Sequence, residues 1–257
     1  MNNRINQLFS QKQNNILSVY FTAGYPNLHD TVEIIQELEK NGADLIEIGI
    51  PFSDPTADGP TIQRSSEKAL RNGMSLNLLF DQLKEIRQSV NIPLILMGYI
   101  NPVYQYGIER FCKKCAEIGI DGTILPDLPP DEFNEFYKPY FQENNLHNIL
   151  LITPQTTENR IRDIDEACSG FIYMVSSAST TGAGKKVEDF HRGYFEKVQN
   201  MQLKNPRIIG FGISDKATFT NACEFASGAI IGSAFVNILK DSTDLKNDIA
   251  NFVKSIR

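Results

Sequence analysis

The feature of the sequence that most constrains the fold is a regular alternation between short apolar runs and longer amphipathic segments. Eight apolar runs have the length and composition of buried strands, and turn-forming residues bound most of them. They cover residues 16–22, 45–50, 92–97, 122–125, 148–153, 170–176, 207–211 and 229–231. Between these runs the apolar residues recur at helical spacing, so each strand-plus-helix unit spans roughly thirty residues.

This alternation predicts a parallel sheet that closes on itself. Eight such units in 257 residues match the size of a (β/α)8 barrel, the TIM-barrel fold. An open, doubly wound sheet has the same alternation and is the alternative. Residues 2–14 carry apolar side chains at helical spacing and predict an extra N-terminal helix. Because no linker or shift in composition divides the chain, we expect one domain over residues 1–257.

Charge and hydropathy restrict the classes of partner. The net charge is -6 and no basic stripe is present, so we expect no nucleic-acid binding. No apolar run approaches the ~20 residues of a membrane helix, and the N-terminal residues lack the apolar core of a signal peptide. We therefore expect a cytoplasmic location and no membrane. Cys112 and Cys115 are close in sequence, but no second pair completes a zinc site, so we expect packed thiols and no metal.

Residues 43–61 place carboxyl groups in two contrasting settings. Glu47 and Gly49 share one face of the predicted second strand, and three isoleucines share the other. A carboxylate inside such a strand is costly unless it is paired, protonated or needed for chemistry. Prolines and a glycine then form a stiff loop that carries Asp54 and Asp58. On the residues alone, a structural ion pair for Glu47 and a turn-forming role for Asp58 are the alternatives to catalysis.

Small residues at the ends of the last strands indicate an anion site. Gly212 ends strand seven, Gly232 and Ser233 end strand eight and open a helix, and Thr181 and Gly182 follow strand six. Glycine lets backbone N–H groups approach an anion, and a helix N-terminus adds partial positive charge. Phosphate in barrels is often bound after strands seven and eight. Ordinary strand-to-helix turns are the alternative.

Four aromatic residues lie near strand ends and are candidates for the apolar wall of a binding site: Tyr20, Tyr99, Tyr173 and Phe211. Core filling is the alternative for each of them. The three histidines lie in helical or connecting segments away from the strand ends, and we assign them no catalytic role.

Residues 47–63, EIGIPFSDPTADGPTIQ, closely resemble the signature segment of the tryptophan synthase alpha subunit family. The likeness continues along nearly the whole chain, in the segments YFTAGYP, MGYINP, LPDLP, GFGIS and AIIGS. One departure is STTG at residues 179–182, where the family commonly has GVTG. This departure leaves Thr181 and Gly182 in place.

The resemblance implies retro-aldol cleavage of indole-3-glycerol phosphate to indole and D-glyceraldehyde 3-phosphate. This reaction needs a proton delivered to the ring carbon and another removed from the hydroxyl beside the breaking bond. Glu47, alternating between acid and base, could make both transfers, and burial would keep part of it protonated near neutrality. Asp58, in a polar loop, is expected to stay ionised, to accept the indole N–H and to stabilise positive charge on the ring.

The resemblance also implies a partner, a beta subunit that condenses indole with serine using pyridoxal phosphate in an alpha2beta2 heterotetramer. We expect no cofactor in this chain. In the family the loops after strands two and three form much of the contact, so Pro51, Asp54, Asn101 and Pro129 are interface candidates. Three alternatives remain: a free-standing lyase, a non-catalytic activating subunit, and a different phosphate-handling barrel such as a sugar-phosphate isomerase.

Overall fold

Eight parallel strands form a closed barrel in the computed structural model, which describes residues 3–176 and 192–257. Each strand pairs with the next along the chain, and β8 pairs with β1. The strands are β1 (Ile16–Thr22), β2 (Leu45–Gly49), β3 (Leu94–Met97), β4 (Gly122–Ile124), β5 (His147–Ile152), β6 (Ile172–Val175), β7 (Arg207–Gly210) and β8 (Gly228–Ile231). The closed order confirms the predicted (β/α)8 barrel and excludes the open sheet.

Helices connect the strands and surround the barrel. In chain order they are α1 (Arg4–Gln11), α2 (Thr31–Lys40), α3 (Pro60–Arg71), α4 (Leu76–Leu83), α5 (Ile100–Tyr106), α6 (Ile108–Ile118), α7 (Pro130–Glu132), α8 (Lys138–Glu143), α9 (Glu158–Ala167), α10 (Arg192–Asn200), α11 (Lys216–Cys223), α12 (Ser233–Asp241) and α13 (Leu245–Ile256). A π-helical stretch, Phe133–Tyr137, joins α7 to α8. No helix in these described ranges is long and apolar enough to cross a membrane.

Helix α1 is the extra N-terminal helix that the sequence predicts, and it packs at the amino-terminal end of the barrel. Asn3 caps the helix through its side chain and also donates to the backbone oxygen of Asp121, at 2.7 Å, just before β4. Asp121 is buried there between Arg4 and Arg87 and accepts the N–H of Leu94 at 3.0 Å. Ion pairs with a structural role therefore lie at the amino-terminal end of the barrel. In barrels of this kind the active site lies at the opposite end, where the strands have their carboxyl ends.

Helix α2 begins at Thr31, and Asp30 is its N-cap residue, although the Asp30 side chain makes no capping hydrogen bond to the helix. The Asp30 carboxylate instead accepts the backbone N–H of Asn27 at 3.1 Å, which forms a turn before the helix. The segment containing Asn101 is not a loop, because α5 begins at Ile100. Pro102 fits in the first turn of α5, because the first backbone N–H groups of a helix have no intrahelical acceptor.

Candidate active site

A cavity of about 220 Å³ opens at the carboxyl ends of the strands. Side chains from β1, β2, β3, β6 and β8 line it, together with residues of the loops after β2, β7 and β8 and of the first turns of α3 and α12. The lining residues are Tyr20, Glu47, Asp58, Ile62, Met97, Tyr173, Phe211, Gly212, Ile213, Ser214, Ile230, Gly232, Ser233 and Ala234. Glu47 and Asp58 therefore share one cavity with three candidates for phosphate binding, Gly212, Gly232 and Ser233.

Glu47 lies on β2 and is fully buried. Its Oε1 atom accepts a hydrogen bond from the Ser18 hydroxyl at 3.0 Å, whereas Oε2 has no hydrogen-bond partner. Burial raises the pKa of the Glu47 carboxyl from 4.5 to about 8, and the Ser18 hydrogen bond opposes this rise. No cation pairs with Glu47 within residues 3–176 and 192–257, so the described structure gives no support to a structural ion pair.

Asp58 sits in the loop between β2 and α3, where it is half-buried. The hydroxyl of Tyr99 donates to its Oδ2 atom at 3.1 Å and accepts the backbone N–H of Ala57 at 2.9 Å. Gln63 donates to the Asp58 backbone oxygen at 2.9 Å, which holds the loop against the start of α3. Burial raises the pKa of Asp58 from 3.8 to about 6, and the Tyr99 hydrogen bond lowers it. The side chain is thus more desolvated than the sequence predicts, yet it remains mostly ionised at neutral pH.

Three of the four aromatic candidates line the cavity, and Tyr99 does not. Tyr173 and Phe211 pack edge to face, with ring centroids 6.1 Å apart, and Tyr20 lines the same cavity from β1. Glycine makes room for both tyrosines, because a Cβ atom on Gly210 would overlap the Tyr173 hydroxyl and one on Gly49 would overlap that of Tyr20. The Tyr99 hydroxyl instead bonds to the Asp58 carboxylate.

The phosphate-binding candidates at the ends of β7 and β8 lie close together on the cavity wall. Gly212, with φ of +73°, follows β7, and Gly232 is the N-cap residue of α12. Ser233 is the first residue of that helix, and its hydroxyl is buried with no hydrogen-bond partner in the described structure. A buried hydroxyl beside a helix N-terminus suits a phosphate oxygen. Thr181 and Gly182 lie outside the described residues.

Sequence reasoning missed several residues of the site. Ser18, which does not line the cavity but bonds to Glu47, is the most consequential, and alternation along β1 places it on the same face as Tyr20, which was a usable signal. Met97, Ile62 and Ile230 supply apolar surface to the cavity, but nothing in the sequence separates them from ordinary core residues.

The four interface candidates differ in exposure. Asp54, Asn101 and Pro129 are exposed, on the loop after β2, on α5 and just before α7 respectively. Pro51 is buried in this chain and offers less surface to a partner than the other three. Asp54 accepts a hydrogen bond from the neighbouring Ser53 hydroxyl at 2.7 Å.

No metal site is evident in the described part of the chain. No group of three or more His, Cys, Asp or Glu residues there could hold an ion. Cys112 and Cys115 are buried on α6, and burial raises the pKa of the Cys112 thiol to about 12. His147 is not in a helical or connecting segment as predicted but is the buried first residue of β5, where its ring bonds to the Asn6 side chain at 2.7 Å.

The fold and the cavity together define a class of protein: a (β/α)8 barrel with a buried, protonatable carboxyl, a second carboxylate and a helix N-terminus at the carboxyl ends of its strands. Comparison with known proteins gives the family. The family model described as "Tryptophan synthase alpha chain" matches residues 6–256. The chain therefore belongs to the tryptophan synthase alpha chain family.

Individual relatives agree with this assignment. The tryptophan synthase alpha chain of Flavobacterium johnsoniae is 61% identical over 255 residues, which are 99% of this chain and 100% of the relative. Among solved structures, the tryptophan synthase alpha chain of Legionella pneumophila superposes with a TM-score of 0.88 at 33% identity, over 100% of this chain and 96% of the other. A chain of Mycobacterium tuberculosis tryptophan synthase gives a TM-score of 0.89 at 30% identity, over 100% and 97%.

Proposed function

We propose that this chain cleaves indole-3-glycerol phosphate to indole and D-glyceraldehyde 3-phosphate. The observation that carries the proposal is the environment of Glu47, a buried carboxyl with one unpartnered oxygen on the wall of the cavity. With its pKa raised to about 8, Glu47 is largely protonated at neutral pH and can still release its proton, as a group that must act in both directions requires.

In the proposed reaction, Glu47 first gives its proton to the indole ring carbon that carries the glycerol chain. The ring becomes positively charged, and the carboxyl becomes a carboxylate. The carboxylate then takes the proton of the hydroxyl next to the breaking bond. The oxygen electrons form the new carbonyl, and the electron pair of the cleaved carbon–carbon bond returns to the ring. Indole and D-glyceraldehyde 3-phosphate leave, and Glu47 is again protonated.

Asp58 would stabilise the charged intermediate. Its carboxylate accepts the indole N–H, and attraction between the two grows when the ring is protonated, so the interaction is stronger at the transition state than in the ground state. Tyr99 supports this role because its hydroxyl donates to Oδ2 and leaves Oδ1 for the substrate.

The remaining cavity residues fit the rest of the substrate. Tyr20, Tyr173 and Phe211 form an aromatic wall for a flat ring, while Gly212, Gly232 and Ser233 offer backbone amides and a hydroxyl to the phosphate. Thr181 and Gly182 are proposed to complete the phosphate site. Glu47, the aromatic wall, Asp58 and the glycine and serine group thus match the reacting carbon atoms, the ring, the ring nitrogen and the phosphate of one substrate molecule.

The chain is also proposed to work with a beta subunit in an alpha2beta2 heterotetramer and to carry no cofactor of its own. The beta subunit would hold pyridoxal phosphate and consume the indole. The exposed residues Asp54, Asn101 and Pro129 are the proposed contacts. Asp54 shares the loop that carries Asp58, so a partner that contacts this loop has a short structural path to the cavity.

The test is to incubate the purified chain with indole-3-glycerol phosphate, with and without a beta subunit, and to measure indole and D-glyceraldehyde 3-phosphate. Cleavage that accelerates with the beta subunit supports the whole proposal. Equal rates in both samples would point to a free-standing lyase, and no product in either sample would overturn the proposed reaction.

A further inference from the structure

The hydroxyl of Ser18 distinguishes the two oxygens of the Glu47 carboxyl. Ser18 lies on β1, pairs in register with Leu45 and shares its face of the strand with Tyr20, which pairs with Glu47. Both Ser18 and Glu47 are completely shielded from solvent. The Ser18 hydroxyl donates to Oε1 at 3.0 Å, and Oε2 has no partner in the described residues.

We infer that Ser18 is a positioning residue that reserves Oε2 of Glu47 as the oxygen that exchanges protons with the substrate. This inference rests on the reaction proposed above. Because Oε1 accepts the serine hydrogen, it serves as the carbonyl oxygen of the neutral acid, and the proton resides on Oε2. Oε2–H gives that proton to the ring carbon, and Oε2 then receives the proton of the substrate hydroxyl.

The same hydrogen bond adjusts how readily the carboxyl ionises. A donor to the charged form favours that form, so Ser18 moderates the pKa rise that burial causes. Without such a donor, the acid would hold its proton too strongly to release it to the ring. Ser18 therefore supplies the one hydrogen bond that a carboxylate at Glu47 receives from the described part of the chain.

Other titratable groups around the cavity do not obscure this effect. Tyr20 and Tyr173 face Glu47 from β1 and β6, and burial raises the pKa of both phenols, so they stay neutral across the working range. Asp58 faces the cavity from the loop after β2 and titrates at about 6. The titration of Glu47, with a pKa of about 8, can thus be distinguished from that of Asp58.

The first measurement is infrared difference spectroscopy on the substrate-free protein at a pH where Glu47 is protonated, with Glu47→Gln as the reference that identifies its band. In wild type the carboxyl C=O accepts from Ser18. We expect Ser18→Ala to move the C=O stretch to higher frequency, because that acceptor loses its donor. Should the proton reside on Oε1 instead, the C=O would be at Oε2, and the band would not rise in frequency. An unmoved band overturns the inference.

The second measurement follows the Glu47 carboxyl by carbon-13 NMR during a pH titration. We expect Ser18→Ala to shift the midpoint to higher pH, and Ser18→Cys, a near-isosteric weaker donor, to shift it less. Thr123→Val is the matched control, because Thr123 is a buried barrel hydroxyl that bonds to Asn148, at 3.3 Å, and not to Glu47. Its titration should match that of wild type.

Activity supplies the third readout. Ser18→Ala should lower kcat for cleavage about tenfold at neutral pH and leave KM nearly unchanged, as expected when a donor to a charged group is lost. Because the spectra are recorded without substrate, they test Ser18 even if indole-3-glycerol phosphate is not cleaved. Cleavage by wild type with an unchanged Ser18→Ala titration would overturn the role of Ser18 and leave the proposed reaction intact.

Discussion

The Tyr99 hydroxyl donates a 3.1 Å hydrogen bond to Oδ2 of Asp58. The same hydroxyl accepts the backbone N–H of Ala57 at 2.9 Å and so also holds the loop that carries Asp58. Tyr99 stands at the start of α5, so two neighbouring β/α connections are joined over the cavity. The side chain of Phe52, on the same loop as Asp58, stacks on the Tyr99 ring with centroids 5.1 Å apart. The position of Asp58 therefore depends on a residue outside its own loop.

Tyr99→Phe should weaken the reaction through Asp58. Removing the hydroxyl takes a donor away from the carboxylate, so the pKa of Asp58 rises above its value of about 6. A larger fraction is then neutral at pH 7, and the acidic limb of the activity profile moves to higher pH, with roughly a tenfold loss at pH 6. Tyr104→Phe, on an exposed tyrosine of α5, is the control and should keep the wild-type profile on the isolated chain. Coincident profiles for Tyr99→Phe and wild type would contradict this role.

Glu47→Gln should change how stability depends on pH. The pKa of Glu47 is about 8 in the folded protein and 4.5 ordinarily, so the folded state binds the proton more tightly. The resulting stabilisation is complete below pH 4.5 and is lost as the pH rises to 8. The free energy of unfolding, measured in urea at pH 5 and pH 8, should fall by roughly 3 kcal/mol more in wild type than in the variant.

The control for this stability measurement is Glu109→Gln, which removes an exposed glutamate of α6 that pairs with Lys113 at 2.6 Å. Its free energy of unfolding should match that of wild type at both pH values, because an exposed ion pair contributes little to stability. If Glu47→Gln also tracked wild type, Glu47 would not be the shielded acid that the proposed reaction requires.

Gly210→Ala should displace Tyr173 from the aromatic wall. The new Cβ would overlap the Tyr173 hydroxyl, and both residues are buried where β6 and β7 pair, so the ring must move into the cavity. We expect weaker substrate binding, seen as a KM raised about tenfold or more, together with some loss of stability. Gly193→Ala is the matched control: its Cβ meets nothing within 4 Å on α10, and alanine should stabilise that helix by up to about 1 kcal/mol.

Ser233→Ala tests the anion site separately from the chemistry. The hydroxyl is buried without a partner in the described chain, so removing it should leave the free energy of unfolding unchanged or slightly higher. Affinity for D-glyceraldehyde 3-phosphate, measured by calorimetry, should fall about tenfold. Ser10→Ala, on α1 at the other end of the barrel, should leave that affinity unchanged. Equal affinities in all three proteins would remove Ser233 from the site.

The sequence predicted the barrel because its strand signals are local. The bounds of β1 agree with the prediction residue for residue, and the alternation around Glu47 correctly predicted a carboxyl shielded inside the barrel. The burial of Asp58 could not be predicted in the same way, because it depends on Tyr99, which lies 41 positions further along the chain. The hydrogen bond from Ser18 likewise links positions 29 residues apart.

The central claim is that Glu47 performs both proton transfers. The most direct measurement is the single-turnover rate of indole release from indole-3-glycerol phosphate by wild type and Glu47→Gln, each saturated with substrate at pH 7. We expect the variant to bind the substrate with similar affinity but to release indole more slowly by a factor of about 10²–10⁴ or more, because an amide can neither give nor take the proton. A Glu47→Gln rate within about threefold of wild type would contradict it.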